Sequence, residues 1–304
     1  IFLSGLILFG QGNKSVGTIV AISSYASYFW QPIMNLGNIF NNFINNIAYL
    51  ERIFETMDEP VTVKDAKDAV EMPKIRGEVT FDHVNFSYDA SKQILNDVSF
   101  TVKPGESVAL VGPTGAGKST IVNLISRFYN VNGGRVLIDG QDISQVTIHS
   151  LREQMGIMMQ DSFIFSGDIE DNIRYGKLDA THEEIVKASR TVCADEFISK
   201  MPDRYQTEVR ERGSMLSQGQ KQLISFARTL LSDPAILILD EATSSIDVQT
   251  EKALQTGLNA MLKGRTSFII AHRLSTIRNC DKIMYIDNSG IMESGTHDEL
   301  MANK

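Results

Sequence analysis

The sequence has few cysteines, no excess of basic residues and no charge in one long stretch near its start. Cys193 and Cys280 are the only two cysteines in 304 residues. Their spacing suits neither a metal site nor a redox motif, which indicates two reduced thiols in a cytosolic domain. The net charge of -8 argues against a nucleic-acid partner, since phosphate backbones attract basic surfaces. A hydrophobic fraction of 42% with 22% charged residues is typical of a folded protein.

The span from Ser15 to Leu50 contains no Asp, Glu, Lys, Arg or His. As a helix it would be roughly 54 Å long, which exceeds the ~30 Å core of a bilayer. Residues 16–30 are apolar with small residues that permit close helix contacts, whereas asparagines interleave with large apolar side chains after Asn35. We therefore predict a transmembrane helix, with a soluble amphipathic helix as the alternative.

The sequence predicts three regions. Residues 1–57 are expected to be the end of a transmembrane domain, comprising the end of one helix, a loop and the last transmembrane helix. The apolar run at Ile1 has no basic leader or cleavage site, so we expect a piece of a longer protein rather than a signal peptide. Residues 58–75, with Pro60 and Pro73, are expected to be a linker. Residues 76–304 are expected to be a second domain.

One loop in the second domain has the residue types and spacing of a phosphate-binding loop. An apolar run at residues 107–111 precedes it, and a segment with helical spacing at 120–126 follows it. Its glycines allow positive φ and close backbone approach, and the helix start favours an anion. The loop consists of Gly112, Pro113, Thr114, Gly115, Ala116, Gly117, Lys118 and Ser119, with Thr120 next to it. We expect Lys118 to reach the outer phosphates and Ser119 to bind Mg²⁺. A plain connection between a strand and a helix is the alternative.

Other polar side chains follow apolar runs that are typical of buried parallel strands. Asp240 and Glu241 end the run at 235–239, and we expect Asp240 to hold Mg²⁺ and Glu241 to act as general base. The alternative for this pair is a helix N-cap. Gln160 ends a run at 155–159 and is a candidate for sensing Mg²⁺ or water, or else a surface residue. His272 ends the run at 266–271 and either contacts the γ-phosphate or is structural.

Short alternating runs upstream of the phosphate loop, at residues 78–88 and 93–100, predict an antiparallel sheet. Tyr88 at the end of the first run could stack on an adenine, or it could simply belong to a sheet face. Residues 163–231 have a mainly helical pattern, clearest at 183–190 and 218–231.

Taken together, these residues resemble the ATP-binding cassette (ABC) family, specifically exporters in which membrane helices and the nucleotide-binding domain share one chain. The segment Leu216, Ser217, Gln218, Gly219 and Gln220 is similar to the family signature Leu-Ser-Gly-Gly-Gln. The resemblance implies an α/β fold with a P-loop NTPase core of RecA type, an antiparallel β subdomain and a helical subdomain with the signature, preceded by a long transmembrane helix. It also implies ATP and Mg²⁺ as cofactors.

The resemblance implies roles for individual residues. Tyr88 would stack on adenine, Gln160 would be the Q-loop residue and metal ligand, and His272 would be the switch histidine. Asp247 would lie in the D-loop, and Glu211 in a segment that touches the partner's membrane domain. The signature would cap the nucleotide held by the phosphate loop of a second half-transporter chain. Lys118, Glu241 and His272 would form the catalytic set.

The signature departs from the family pattern at Gln218, where the family has glycine. A side chain there adds bulk where the backbone approaches the γ-phosphate. In heterodimeric exporters of this family, a chain that keeps the catalytic glutamate often carries the altered signature. We therefore predict a heterodimer with one active and one weak ATP site, with a homodimer as the alternative.

The predicted function is ATP hydrolysis coupled to export across the plasma membrane, by a multi-pass protein with a cytoplasmic nucleotide-binding domain. The expected partners are a second half-transporter chain, membrane lipid and an unidentified transported substrate, but no nucleic acid. Two alternatives are an importer with the exporter fold and a soluble cassette ATPase.

Overall fold

The computed structural model describes Ile7 and residues 16–89, 92–158, 163–240, 248–271 and 274–302. The chain divides into two compact units, Ile1–Val61 and Thr62–Lys304.

The first unit contains the long helix α1, Val16–Met57. The helix ends within one residue of the predicted position, just before Pro60. Its large apolar side chains are exposed, among them Phe29, Trp30 and Phe43. Within the residues that the structure describes, no helix is both long and apolar enough to cross a membrane. The helix is thus confirmed but its transmembrane character is not, because asparagine and serine residues dilute the apolar content of α1.

The second unit begins with a segment that we call the strap, residues 62–75. Met72 and Ile75 of the strap are buried in the hydrophobic core of the second unit. The Met72 amide donates to Ser150 Oγ at 2.8 Å, and the Ile75 amide donates to Gln154 Oε1 at 2.8 Å. Most of the stretch predicted as a linker therefore packs against the second unit, because side chains distant in sequence accept its backbone amides.

In the second unit three strands come first, and strands and helices are then interspersed along the chain. The described strands are β1 (Val79–Ser87), β2 (Gln93–Val102), β3 (Ser107–Val111), β4 (Gly133–Ile138), β5 (Gln141–Asp142), β6 (Met155–Met158), β7 (Gly167–Asp168), β8 (Glu208–Val209), β9 (Ile236–Asp240), β10 (Thr266–Ile270), β11 (Lys282–Asp287) and β12 (Gly290–Gly295). The described helices are α2 (Lys118–Ile125), α3 (Ile148–Arg152), α4 (Ile169–Arg174), α5 (His182–Thr191), α6 (Asp195–Ile198), α7 (Gln218–Leu231), α8 (Val248–Leu262), α9 (Leu274–Arg278) and α10 (His297–Ala302).

These strands form a central sheet, an antiparallel sheet and one short pair. The central sheet has the order β12-β11-β3-β10-β9-β6 and is parallel except for β12 at its edge. The antiparallel sheet has the order β2-β1-β4-β5, and β7 pairs with β8. The predicted antiparallel subdomain and α/β core are therefore confirmed, and the helices α4 to α7 form the predicted helical region.

The central sheet is buried on both faces, as parallel sheets require. Successive residues of β9 show this directly. Ile236 and Ile238 pack in one apolar cluster, which extends to Phe81 of β1 in the antiparallel sheet. Leu237 and Leu239 pack in the other cluster, which includes Leu223 of α7. The central sheet therefore holds its strand ends in a fixed position between two cores.

Candidate functional site

The candidate site lies at the carboxyl edge of the central sheet. Ile270 of β10 is paired with Leu110 of β3 on one side and with Asp240 of β9 on the other. Met158 of β6 is paired with Leu239 of β9. The loops that follow these parallel strands therefore leave from one edge of the sheet, which is where ligands bind in open α/β sheets.

The phosphate loop depends on glycines in the left-handed region. Gly112, Gly115 and Gly117 have φ values of 148°, 81° and 107°. A Cβ on Gly112 would lie 2.1 Å from the carbonyl oxygen of Ile286, so β11 leaves no room for a side chain there. Gly117 is the N-cap of α2, and its carbonyl accepts the Ile121 amide at 3.0 Å. The loop thus turns sharply from β3 into the first turn of α2, which is the geometry of an anion site.

Lys118 lies over this loop and contacts its carbonyls. Its Nζ donates to Gly112 O and Pro113 O, each at 2.9 Å. Burial lowers the pKa of the Lys118 ammonium below its usual value, while the Asp240 carboxylate acts in the opposite direction. A lysine held by neutral carbonyls can exchange them for phosphate oxygens, because an anion is the stronger partner for its charge.

A cavity of about 380 Å³ lies in front of the loop, and we call it the site cavity. It is lined by Tyr88, Lys92, Ile94, Thr114, Gly115, Gly117, Lys118, Ser119, Thr120, Asp240 and Ile270. The residues fit a nucleotide with Mg²⁺. The open space around Gly115 leaves the backbone accessible, Lys118 supplies positive charge, and the Ser119 hydroxyl and Asp240 carboxylate are oxygen ligands of the type that Mg²⁺ prefers.

Tyr88 lies just beyond the end of β1 and is 49% exposed. Its hydroxyl is 3.2 Å from Oγ1 of Thr120, a buried residue in the first turn of α2. The structure therefore brings the tyrosine, which is 24 residues upstream of the loop start by its number, to the same cavity as the phosphate loop. An accessible ring in this place is suited to stacking on a base.

The signature segment begins helix α7. Ser217 is the N-cap, its Oγ accepts the Gln220 amide at 3.2 Å, and its own amide donates to Gln220 Oε1 at 2.9 Å. This capping box satisfies two backbone donors of the helix start. Leu216 and Gly219 are buried. Gln218 is the first residue of the helix and is exposed, so its side chain lies on the accessible surface of the helix start.

Four predicted residues lie outside the described residues: Gln160, Glu241, Asp247 and His272. Three of them follow strands of the central sheet in the sequence. The backbone of Glu211 is described, in a 3-10 turn at Glu211–Gly213. The roles of all five residues stay predictions.

Three residues that line the site cavity were not predicted as site residues: Lys92, Ile94 and Ile270, the last residue of β10. Lys92 adds a second cation and Ile94 adds an apolar surface to the cavity. Neither belongs to a motif: Ile94 lies in β2, with its Cγ2 3.4 Å from the position of a Cβ on Gly117, and Lys92 directly precedes that strand. A lysine a few residues after a strand that ends in an aromatic residue is too common in sequences to be identified as a site residue.

Comparison with known proteins agrees with this geometry. Residues 95–244 match the ABC transporter family. The chain is 52% identical over 298 residues to the "Uncharacterized ABC transporter ATP-binding protein YknV" of Bacillus subtilis, covering 98% of this chain and 49% of that protein. It is 43% identical over 304 residues to a fatty acid ABC transporter ATP-binding/permease protein of Mycobacterium bovis, covering 100% of this chain and 48% of that protein.

A solved structure of a bacterial Atm1-family ABC exporter with ATP bound is similar with a TM-score of 0.77 and 41% sequence identity. The similarity covers 97% of this chain and 52% of that one. The chain therefore spans about half the length of the curated relatives it matches. The match to the family covers the phosphate loop, the signature and Asp240 together. The chain belongs to the ABC transporter family, whose P-loop ATP-binding domain it carries.

Proposed function

We propose that this chain binds and hydrolyses ATP and couples hydrolysis to export, as one half of a membrane exporter. The observation that carries the proposal is the convergence of Tyr88, Lys118, Ser119 and Asp240 on one cavity at the edge of the sheet. The exporter activity is supported by the relatives named ATP-binding/permease proteins and by the exporter of similar structure that has ATP bound. We assign no transported substrate.

Each residue of the site has a separate task in this proposal. The α2 start and Lys118 bind the phosphates and orient them, because positive charge and backbone donors converge there. Tyr88 holds the base. Ser119, Asp240 and Gln160 would hold Mg²⁺, which supplies charge neutralisation when bound. Glu241 takes a proton from the attacking water, and His272 contacts the terminal phosphate. Such a site works mainly by positioning and by electrostatic stabilisation.

The proposal includes a second chain and a membrane. The signature of this chain, with Asp247 nearby in sequence, would cap the ATP on a partner half-transporter. Glu211 would contact the membrane domain of that partner. We place the protein in the plasma membrane as a multi-pass protein, with the ATP-binding domain in the cytoplasm. The relatives with an ATP-binding/permease name support this location.

Two substitutions test the proposal by separating binding from hydrolysis. Lys118→Ala should weaken ATP binding itself, because it removes the cation over the phosphate loop. Glu241→Gln should leave binding intact and lower turnover by roughly 100-fold or more, the scale of losing a general base. Lys103→Ala, an exposed lysine outside the site cavity, is the matched control and should change neither. Equilibrium nucleotide binding and steady-state phosphate release measure the two effects.

Unchanged ATP affinity in Lys118→Ala would contradict the assignment of the phosphate loop. Turnover like that of the wild type in Glu241→Gln would remove Glu241 from the role of base.

A further inference from the structure

Three aromatic rings form a cluster beside the site cavity. The centroids of Tyr88 and Phe86 are 4.8 Å apart with the rings at 87°, and those of Tyr88 and Tyr129 are 4.9 Å apart at 84°. Phe86 and Tyr129 are 5.8 Å apart at 62°. Edge-to-face pairs at these separations attract each other through the ring quadrupoles. Tyr88 is therefore held by two other rings as well as by its contact with Thr120.

Tyr129 belongs to a loop after α2 that is held by backbone hydrogen bonds, such as the one from the Phe128 amide to Asn123 O at 2.8 Å, and by the side chain of Arg152. Arg152 of α3 donates from Nε to Ser126 O at 3.0 Å and from Nη2 to Arg127 O at 2.8 Å. Its guanidinium also lies 4.6 Å from the centroid of the Phe128 ring. Arg127 has a φ of 50°, in the left-handed region that a non-glycine residue seldom adopts. The loop therefore reaches Tyr129 in a conformation that these contacts maintain.

Tyr129 lines a different cavity from Tyr88. Tyr129 is not among the described residues that line the site cavity. It lines a smaller cavity of about 190 Å³, together with Arg127 and Asp142. The ring contact with Tyr88 therefore links Tyr129 to the site cavity, and we expect its effect on a nucleotide there to pass through Tyr88. Phe86, the other ring in contact, is buried in the core and has a structural role of its own.

We propose that Tyr129 is a positioning residue that holds the Tyr88 ring in the orientation needed to stack on adenine. This inference rests on the proposed function, in which Tyr88 binds the base. Tyr129 should therefore contribute to the binding of the base. It should not contribute to the binding of the phosphates, because the phosphate loop contacts them through Lys118 and the start of α2.

The first test compares ATP with inorganic tripolyphosphate, each with Mg²⁺, as ligands of the full chain. Tyr129→Leu should weaken ATP binding about 3- to 10-fold, the scale of one aromatic pair, and leave tripolyphosphate binding unchanged. Tyr129→Phe, which keeps the ring, should restore ATP binding. Tyr175→Leu is the matched control, because it removes an exposed tyrosine whose ring stacks on Phe165, with centroids 4.4 Å apart, rather than on Tyr88; it should leave both affinities unchanged.

The second test is a double-mutant cycle, which measures whether two residues act together. In a Tyr88→Leu background, Tyr129→Leu should cause no further loss of ATP affinity, because the ring that it positions is gone. A further loss of 3-fold or more in that background would overturn the inference. So would an equal loss for ATP and tripolyphosphate in Tyr129→Leu, which would indicate a general structural role.

The outcomes separate this inference from the proposed function. ATP binding that is the same in the wild type and in Tyr129→Leu would overturn the inference alone, and the binding measured in the wild type would still support an ATP site. Failure of the wild-type chain to bind ATP would overturn the proposed function and the inference with it.

Discussion

At the scale of single residues, the site depends on backbone conformations that only certain residues can adopt. Gly112 combines a φ of 148° with a neighbouring carbonyl 2.1 Å from the position of a Cβ. Gly105 has a φ of 79°, but nothing lies within 4 Å of the position of its Cβ. A side chain at Gly105 would meet only the cost of a left-handed backbone conformation. A side chain at Gly112 would also collide with the Ile286 carbonyl.

We expect Gly112→Ala to lower the free energy of unfolding by about 2 kcal/mol or more, because β11 and the phosphate loop must move apart. Gly105→Ala, the control, should lower it by about 1 kcal/mol, the cost of a left-handed conformation for a residue with a Cβ. Denaturant unfolding measures both values. Equal losses in the two variants would mean that the Ile286 carbonyl does not restrict position 112.

A second feature at this scale is an ion pair on the antiparallel sheet. His83 of β1 and Asp97 of β2 both have a φ of 52°, and His83 Nδ1 lies 2.6 Å from Asp97 Oδ1. The hydrogen bond to Asp97, followed by the charge of Asp97, raises the pKa of His83 above its usual value, and Asp82 adds a smaller effect in the same direction. The folded protein therefore favours the protonated imidazole.

The sign of the pH dependence follows from this direction. A raised pKa in the folded state means that the pair contributes stability below the unfolded pKa of about 6.5. That contribution is lost as the pH rises through the folded pKa. An NMR titration of His83 should show a pKa above 6.5, and Asp97→Asn should lower it by more than Asp82→Asn does. A larger effect of Asp82→Asn would contradict the assignment of Asp97 as the main partner.

At the scale of elements, one glutamine makes three of the hydrogen bonds that hold the strap against the rest of the second unit. Gln154 accepts the Ile75 amide at 2.8 Å, and its Nε2 donates to Met72 O at 3.3 Å and to Pro73 O at 3.1 Å. Replacing this one side chain would therefore remove three hydrogen bonds to the strap at once.

We expect Gln154→Ala to lower the free energy of unfolding by about 1–3 kcal/mol, because it leaves backbone groups of the strap without partners. The Ile75 amide should exchange with solvent faster, since Gln154 accepts its hydrogen bond. Glu153→Ala is the matched control, as Glu153 is exposed and its ion pair with His149 is long at 3.9 Å. Unchanged hydrogen exchange at Ile75 would contradict the role of Gln154 as the acceptor that protects this amide.

At the scale of the whole molecule, the signature bears on the partner chain. Ser217 and Gln220 form a regular capping box, and Gln218 stands exposed at the first position of α7. The substitution of glutamine for the glycine of the family pattern therefore leaves the helix start intact and changes the surface that it presents. This supports our proposal of a partner whose own nucleotide meets an altered signature.

We expect the protein, purified from membranes through a tag, to bring with it a second cassette chain in equal amount. That chain should carry glycine at the position that matches Gln218, so that the pair has one active and one weak site. Mass spectrometry of the purified complex identifies the chain and its stoichiometry. Recovery of this chain alone would rule out the heterodimer and would require both sites to work with Gln218.

The sequence by itself determined the parts of this protein whose signal is local. The glycine spacing and Lys118 predicted the phosphate loop, since loop conformation depends on neighbouring residue types. Apolar runs that end in polar residues predicted the parallel strands and the side chain of Asp240 at their edge. The uncharged span from Ser15 to Leu50 predicted α1, but its mixture of asparagine with apolar residues left two interpretations, a transmembrane helix and a soluble amphipathic helix.

Only the tertiary structure decided features that depend on contacts between distant residues. The strap was predicted to be a linker, because its own sequence has no period, and it is held by Gln154 and Ser150 from another part of the chain. Lys92, directly before β2, lines the site cavity with residues of the phosphate loop, and Tyr129 meets Tyr88 from the loop after α2, to which Arg152 donates two hydrogen bonds. The physical reason is the same in each case: the partner of the contact lies far away in the sequence, where no local pattern reports it.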